Sequence, residues 1–287
     1  MRERGYWVLG IGYWLHRCSG VGVRRCSGFQ VFRYSKYLET LIAVAVVGLA
    51  VGTARPTDAA SLFERSKTKP AADNVLTNKE KRAGWILLFD GKSFDGWMTS
   101  SKEESKKPIE DGCINPHGCG AYMMVHKIQR SDFILSVDYK ISAGCNSGVF
   151  VRTSPLEPYP GKDVGWNGIE VQILDNPGMG YTDTGAFYDL SAPKKQAQHP
   201  VGEWNHMVVT CRGPILEVEL NGEKVNRIDL DAFTEPFKRP DGSAHKFDRA
   251  MKSQPRTGYI GLQDHGADCW FKNIKLKPLK TLLGDRL

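Results

Sequence analysis

The chain has 287 residues and a formal net charge of +7, with 41% hydrophobic and 25% charged residues. These proportions are typical of a globular protein and exclude a fibrous or wholly disordered one. The positive charge is concentrated in residues 1–54, which hold seven Lys or Arg and two acidic residues, so the remainder carries only +2. A body so close to neutral lacks the basic surface that nucleic-acid binding requires, and we expect no nucleic-acid partner.

The N-terminal region has the pattern of an export signal. Arg33 and Lys36 precede the apolar run TLIAVAVVGLAV at residues 40–51, and small residues follow at 52–54. The run is short for a bilayer span, and this order is typical of a secretory signal. We therefore expect a secreted or periplasmic bacterial protein that meets the membrane only through its signal; a retained anchor is the alternative. Because the stretch before the run is long for such a signal, we expect translation to begin downstream of Met1.

The cysteines agree with export. In an oxidising compartment Cys113 and Cys119, which bracket CINPHGC, would close a small disulfide ring. The spacings of Cys and His match no zinc pattern. An odd total would leave at least one thiol unpaired once the signal is removed, since the cysteines that remain are Cys113, Cys119, Cys145, Cys211 and Cys269.

The rest of the chain predicts strands rather than helices. Residues 55–82 are polar and predict a linker, whereas residues 83–279 consist of short apolar runs separated by turn residues. This pattern predicts an all-β antiparallel sandwich, followed by a tail at 280–287. The predicted strands are 86–90, 121–125, 133–141, 147–152, 168–173, 186–190, 204–212, 215–220, 223–228, 259–263 and 269–276.

Two short patterns are particularly informative. In FILSVDYKI the apolar residues alternate with Ser136, Asp138 and Lys140, as in a strand with one buried face. In ILEVELNGEKVNRI the pair Asn221 and Gly222 separates two such runs, which predicts a type I′ hairpin turn with positive φ at both residues.

The stretch GIEVQILDNPG, residues 168–178, shows the same alternation. Its apolar residues predict one buried face, so Glu170 and Gln172 lie side by side on the other face. Asp175 comes directly before a turn sequence, and an Asx turn cap is the expected role of its carboxylate.

Several blocks together resemble the DUF1080 family, also called the 3-keto-disaccharide hydrolase domain. They are LLFDGKSFDGW, FILSVDYKISAGCNSGVFVRT, GIEVQILDN, GAFYDL, GEWN and GYIGLQDHGADCWFKNIKLKPL, and they span residues 85–279 in the family's order. The resemblance implies a concanavalin A-like jelly-roll sandwich of two antiparallel sheets. It also implies cleavage of glycosides whose sugar is oxidised to a ketone at carbon 3. Residues 102–120 and 234–256 depart from the usual pattern and are expected to reshape a substrate pocket.

Strand parity gathers polar residues on the outward face of one sheet. Amides, a guanidinium and an aromatic ring suit the hydroxyls and C–H faces of a sugar, so we expect a carbohydrate ligand there. The expected substrate-binding residues are Arg152, Gln172, Gln263, Phe150, Asn146 and Tyr188, and the expected catalytic residues are Glu170, His265 and Asp264.

A 3-keto group acidifies the proton on carbon 2, so a base can remove it and the enolate can expel the aglycone. We assign Glu170 as this base and His265 or Asp264 as the proton donor to the leaving oxygen. The enolate is stabilised by Arg152 or by a bound cation. No cofactor is firmly implied; one alternative is a divalent metal ion held by Glu170, Asp264 and His265.

Other readings of the same residues stay open. E-V-Q-I-L-D is similar to the E-x-D-x-x-E strand of concanavalin-like endo-β-glucanases, in which two carboxyl groups face the groove. A lectin-like module would use the same face for binding alone. Glu170 as an ordinary solvated strand residue, paired with Arg152 in a surface salt bridge, is the simplest alternative.

Overall fold

The computed structural model describes residues 72–176 and 178–280. Besides three short 3₁₀ turns, they form a five-residue helix, α1 (Asn78–Arg82), and eleven strands. The strands are β1 (Ile86–Leu87), β2 (Trp97–Thr99), β3 (Met123–Arg130), β4 (Phe133–Ile141), β5 (Asn146–Thr153), β6 (Ile169–Leu174), β7 (Trp204–Arg212), β8 (Ile215–Leu220), β9 (Glu223–Asp229), β10 (Gly258–Gln263) and β11 (Cys269–Pro278).

The strands form two antiparallel sheets, which confirms the predicted all-β jelly-roll sandwich. One sheet has six strands in the order β1-β11-β4-β7-β8-β9, and the other has five in the order β2-β3-β10-β5-β6. A single apolar core lies between them and takes Leu135 and Val209 from the first sheet, and Val149, Val171 and Leu262 from the second. This core fixes which residues of the five-stranded sheet face outward, because side chains alternate along each strand.

The predicted strands agree best where alternation is strict. β4, β7 and β8 have the predicted bounds, and the Asn221–Gly222 turn has positive φ at both residues, 52° and 81°. The predicted strand at 186–190 was wrong: Phe187 makes only isolated bridges, and its N–H bonds to Ser191 O in a tight turn. β2 was not predicted, because three residues are too few to show a period.

The outward face of the five-stranded sheet is not open to solvent. A second apolar cluster covers part of it, made by Met123, Val125 and Phe150 from the strands together with Leu156 and Val164 from the connection between β5 and β6. The polar residues of this face therefore lie beneath connecting segments, which lowers the dielectric around them.

The residues that precede β1 pack against the sandwich. Asn74 is 6% exposed; its N–H donates to Asn273 Oδ1 (2.6 Å), its Oδ1 accepts from Asn273 N (2.8 Å), and its Nδ2 donates to Gly112 O (2.8 Å). The end of the predicted linker thus belongs to the folded body. The predicted export signal lies outside the described residues. Within residues 72–176 and 178–280, no helix is both long and apolar enough to span a membrane.

All five cysteines of the described residues are free and buried: Cys113, Cys119, Cys145, Cys211 and Cys269. The expected Cys113–Cys119 disulfide is therefore absent from the structure. Cys119 instead directs its Sγ at the carbonyl oxygen of Ala121, 3.3 Å away, and Cys113 directs its Sγ at Asp111 O, 3.6 Å away. The thiols of Cys113 and Cys119 thus each have a backbone carbonyl oxygen of their own turn as hydrogen-bond acceptor.

Candidate active site

Three polar side chains lie on the outward face of the five-stranded sheet, on the two strands that flank β5. β5 lies between β10 and β6, and Gly148 pairs with Gln172 in register. Glu170, Gln172 and Gln263 are 8%, 2% and 2% exposed. Each has a buried side-chain oxygen without a hydrogen-bond partner in the described structure. Unpaired buried acceptors are costly, so this face is suited to a ligand that brings its own donors.

Gly148 provides the space for the carboxyl group of Glu170. A Cβ at this position would lie only 2.8 Å from Glu170 Cγ and would also collide with Glu170 Oε1. The φ of Gly148 is not positive, so the glycine is needed here for its missing side chain rather than for its backbone freedom.

Burial controls the protonation of Glu170. The pKa of its carboxyl is raised from 4.5 to about 8, chiefly by loss of hydration; the nearby charge of Lys246 opposes the shift, and that of Asp163 adds to it. At neutral pH this carboxyl is therefore mostly protonated. A carboxyl with a pKa so near the working pH can both release and take up a proton, as acid–base catalysis requires.

Lys246, like Tyr122, is a residue of this site that the sequence reasoning missed. It comes from the 234–256 segment, and its Nζ lies 4.2 Å from the ring centroid of Tyr188 and 5.0 Å from that of Trp166. Burial lowers its pKa, while the charges of Glu170 and Asp163 oppose that change. The only sequence signal was the departure of this segment from the family pattern, because a lysine in an irregular loop carries no period.

The 234–256 segment is fixed to the sandwich by polar contacts. Arg239 is 7% exposed and forms an ion pair with Asp189 Oδ1 (2.5 Å). Its Cζ also lies 3.6 Å from the ring centroid of Tyr181. The other carboxylate oxygen of Asp189 accepts the backbone N–H of Lys246 (2.6 Å). The backbone at Lys246 is therefore held by the same carboxylate that pairs with Arg239.

Tyr122 brings a hydroxyl group to the same face. Its Oη accepts from Gln263 Nε2 (2.8 Å), and its ring meets Phe150 edge-on with centroids 6.0 Å apart. Burial raises the pKa of Tyr122, and the charge of Glu170 adds to the effect. The phenol therefore keeps its proton, which it can donate because the Gln263 contact uses only its oxygen as an acceptor.

The structure brings most of the predicted substrate-binding residues together. Asn146 Oδ1 accepts from Gln172 Nε2 (3.0 Å), which leaves Gln172 Oε1 free. Tyr188 is half-buried beside Lys246, and its N–H donates to Glu170 O (3.0 Å). The amide, phenol and aromatic groups expected for a sugar site thus share one face.

Arg152 does not join this group, and the expectation for it was wrong. Its φ is 54°, and the β5–β10 register shifts beside it, so a bulge reverses the parity of its side chain. The guanidinium is fully buried elsewhere, where it donates to Ser131 O, Gly213 O and Asp132 Oδ1. Arg152 is therefore a structural tie, and it does not pair with Glu170.

Asp264 and His265 also lie apart from the carboxyl of Glu170. Asp264 accepts from His117 Nδ1 (3.1 Å) and from Gly118 N (2.9 Å), while His265 is exposed in the loop after β10. Within the part of the chain that the structure describes, no group of three or more His, Cys, Asp or Glu is placed to hold a metal ion. The expected ligand set of Glu170, Asp264 and His265 is thus not assembled.

Asp175 does not have the expected Asx-turn role, because its carboxylate accepts from the β4–β5 turn rather than from the turn that follows it. Its Oδ2 accepts from Gly144 N (2.8 Å), and the residue is exposed. It therefore supplies no second carboxyl group to the buried face, whereas retaining hydrolysis needs two such groups about 5 Å apart.

Comparison with known proteins assigns the family. Residues 84–277 match the 3-keto-alpha-glucoside-1,2-lyase-like domain. The chain belongs to this family. A relative from Bacteroides thetaiotaomicron, named 3-keto-disaccharide hydrolase, is 30% identical over 234 residues, which cover 68% of this chain and 79% of the relative. The predicted family is thus confirmed, and the protein is placed among glycoside-cleaving enzymes of this type.

Solved structures agree with the fold. A crystal structure of a candidate glycosyl hydrolase from Parabacteroides distasonis is 29% identical, with a TM-score of 0.61, and the match covers 73% of this chain and all of the other. A second from the same species is 31% identical, with a TM-score of 0.58 over 68% of this chain and 99% of the other. The sandwich of this family member therefore has experimentally determined counterparts.

Proposed function

We propose that the protein cleaves 3-keto-glycosides, including 3-keto-disaccharides, by removing the proton on carbon 2 and expelling the aglycone. The observation that carries this proposal is the buried, unpaired carboxyl of Glu170, with a pKa of about 8, beside the ammonium of Lys246. A single tuned acid–base group suits a substrate already activated by a ketone. It does not suit unactivated glycosides, which require a pair of carboxyl groups.

Three groups supply the first step. The ionised form of Glu170 takes the proton from carbon 2, and the negative charge moves to the oxygen on carbon 3. Lys246 stabilises that oxygen, in the role first assigned to Arg152. As the bond between carbon 1 and the leaving oxygen breaks, the Tyr122 hydroxyl donates a proton to that oxygen. The products of this step are the free aglycone and an unsaturated ketone.

Hydration completes the reaction. Water adds its oxygen to carbon 1 of the unsaturated ketone and gives up a proton to the Tyr122 phenolate, while protonated Glu170 returns a proton to carbon 2. The sum of the two steps is hydrolysis to the free 3-keto sugar, with the Tyr122 phenol and the ionised form of Glu170 regenerated. The unpaired oxygens of Gln172 and Gln263 accept hydrogen bonds from the sugar hydroxyls.

The test is incubation with a 3-keto-disaccharide. We expect release of reducing sugar, slower turnover when carbon 2 carries deuterium, and a loss of at least about 100-fold in kcat/KM for Glu170→Gln. Glu203→Gln, at an exposed glutamate of the turn before β7, is the matched control and should leave the rate unchanged.

Other outcomes would assign other functions. Measurable binding of the intact 3-keto sugar without cleavage would support a lectin-like module. Cleavage of an unoxidised β-glucan would support a glucanase. Equal activity of wild type and Glu170→Gln would remove Glu170 from the chemistry.

A further inference from the structure

Two ammonium groups lie over the indole ring of Trp166, and a guanidinium contacts the backbone of the same residue. The Nζ of Lys162 lies 3.6 Å from the ring centroid of Trp166, and the Nζ of Lys246 lies 5.0 Å from the same centroid. Arg249 donates from Nη2 to the carbonyl oxygen of Trp166, and its Cζ lies 5.4 Å from the ring centroid of Tyr159. The indole is thus the centre of a basic, aromatic surface.

These cations are not neutralised by ion pairs. Among the described residues, no carboxylate oxygen lies within 4.0 Å of Lys162, Lys246 or Arg249. Asp163 accepts a backbone N–H of its own turn instead (2.8 Å), and burial keeps Glu170 mostly protonated at neutral pH. Burial lowers the pKa of Lys246; the charges of Glu170, Asp163 and Asp189 raise it, whereas the charge of Lys162 lowers it. An ammonium without a carboxylate partner among the described residues, as at Lys162, retains the capacity to pair with an anion of the ligand.

The position of this surface relates it to the leaving group. A Cβ on Gly165, the neighbour of Trp166, would lie 2.6 Å from Tyr122 Oη. The hydroxyl that protonates the leaving oxygen is therefore adjacent to the turn that carries Trp166 and Lys162. An aglycone that departs from that oxygen faces this turn, while the reacting sugar lies over Glu170.

We propose that Lys162 and Trp166 form the aglycone subsite and that the preferred leaving group carries an anionic substituent on an aromatic or sugar ring. The indole provides an apolar face for the ring, and the ammonium of Lys162 pairs with the anion. This inference rests on the proposed function, because it assigns the leaving group of that same reaction. Lys162 determines specificity and takes no part in the chemical steps.

The test compares two substrates of almost the same shape, the 4-carboxyphenyl and 4-carbamoylphenyl 3-keto-glucosides. The ratio of their kcat/KM values removes effects that both substrates share. We expect this ratio to fall about tenfold in Lys162→Gln, and in wild type as salt is added, because an exposed charge pair is screened. Lys162→Arg should retain the ratio. Lys224→Gln, at an exposed lysine of the other sheet, is the matched control.

The outcomes separate this inference from the proposed function. If both glucosides are cleaved and neither Lys162→Gln nor salt changes the ratio, the anionic subsite is overturned and the proposed reaction stands. If neither glucoside is cleaved although a 3-keto-disaccharide is, the subsite assignment is overturned and the proposed reaction stands; if the 3-keto-disaccharide is not cleaved either, both are overturned.

Discussion

At neutral pH most Glu170 side chains are protonated, yet the proposed reaction needs the ionised form to take the proton from carbon 2. With a pKa of about 8, the ionised fraction of Glu170 rises about tenfold for each unit by which the pH increases, as long as the pH stays below 8. We therefore expect kcat/KM to rise with pH and to level off above about pH 8. The measurement is a pH–rate profile on a 3-keto-disaccharide. A rate that falls through the same range would assign Glu170 as the acid instead.

The same pKa shift predicts a cost in stability. Because the folded pKa of Glu170 lies above the unfolded value, the folded state retains a proton that the unfolded state releases as pH rises from 4.5 to 8. As the pH rises from 4.5 to 7, the unfolding free energy of wild type should fall by about 3 kcal/mol relative to that of Glu170→Gln. Urea denaturation at the two pH values measures the change. If wild type and Glu170→Gln differed in unfolding free energy by the same amount at both pH values, the pKa of Glu170 would not be shifted by folding.

At the scale of the elements, β5 serves two purposes along its length. Its middle provides Gly148, whose missing side chain leaves room for Glu170. We expect Gly148→Ala to displace the carboxyl group and to lower kcat/KM by about 100-fold, since an error of 1 Å in a reacting group has effects of that size. Steady-state kinetics measures the loss, and circular dichroism checks the fold. Wild-type kinetics in this variant would show that Glu170 does not need that space.

The end of β5 provides Arg152, which connects the β3–β4 turn to the β7–β8 turn. Arg152→Met should lower the unfolding free energy by about 3–5 kcal/mol, because it leaves the buried Asp132 carboxylate unpaired. Arg212→Met, at an exposed arginine of β7, should have little effect. A variant with unchanged stability but a raised KM would restore Arg152 to the substrate site.

The elements also show what could be predicted from the sequence. β4, β7 and β8 were predicted to the residue, and Glu170, Gln172 and Gln263 were placed on the correct face, because regular strands alternate. Arg152 was misplaced because a bulge interrupts that alternation. Lys246 was missed because its position depends on tertiary contacts of an irregular segment. Sequence periodicity therefore predicts which strand residues belong to the site, but it does not predict the positions of the connecting segments that cover them.

At the scale of the whole molecule, both sheets share one apolar core, and the residues before β1 are tied to its rim through Asn74. Asn74→Ala should leave Asn273 N and Gly112 O without partners, at a cost of about 2 kcal/mol. For a domain of this size, that cost lowers Tm by roughly 4–8 °C. Lys79→Ala, at an exposed lysine of α1, is the control for calorimetry. An unchanged Tm would show that the sandwich is stable without this tie.

The buried thiols can be used to measure local unfolding of this protein. Burial raises the pKa of Cys113, Cys119, Cys211 and Cys269, so the folded state presents little reactive thiolate to an alkylating reagent. Each thiol is therefore modified only during excursions that expose it. The alkylation rate of each cysteine-containing peptide then measures how often its surroundings open: Cys113 and Cys119 report on the 102–120 segment, and Cys211 and Cys269 report on the sheet between β7 and β11.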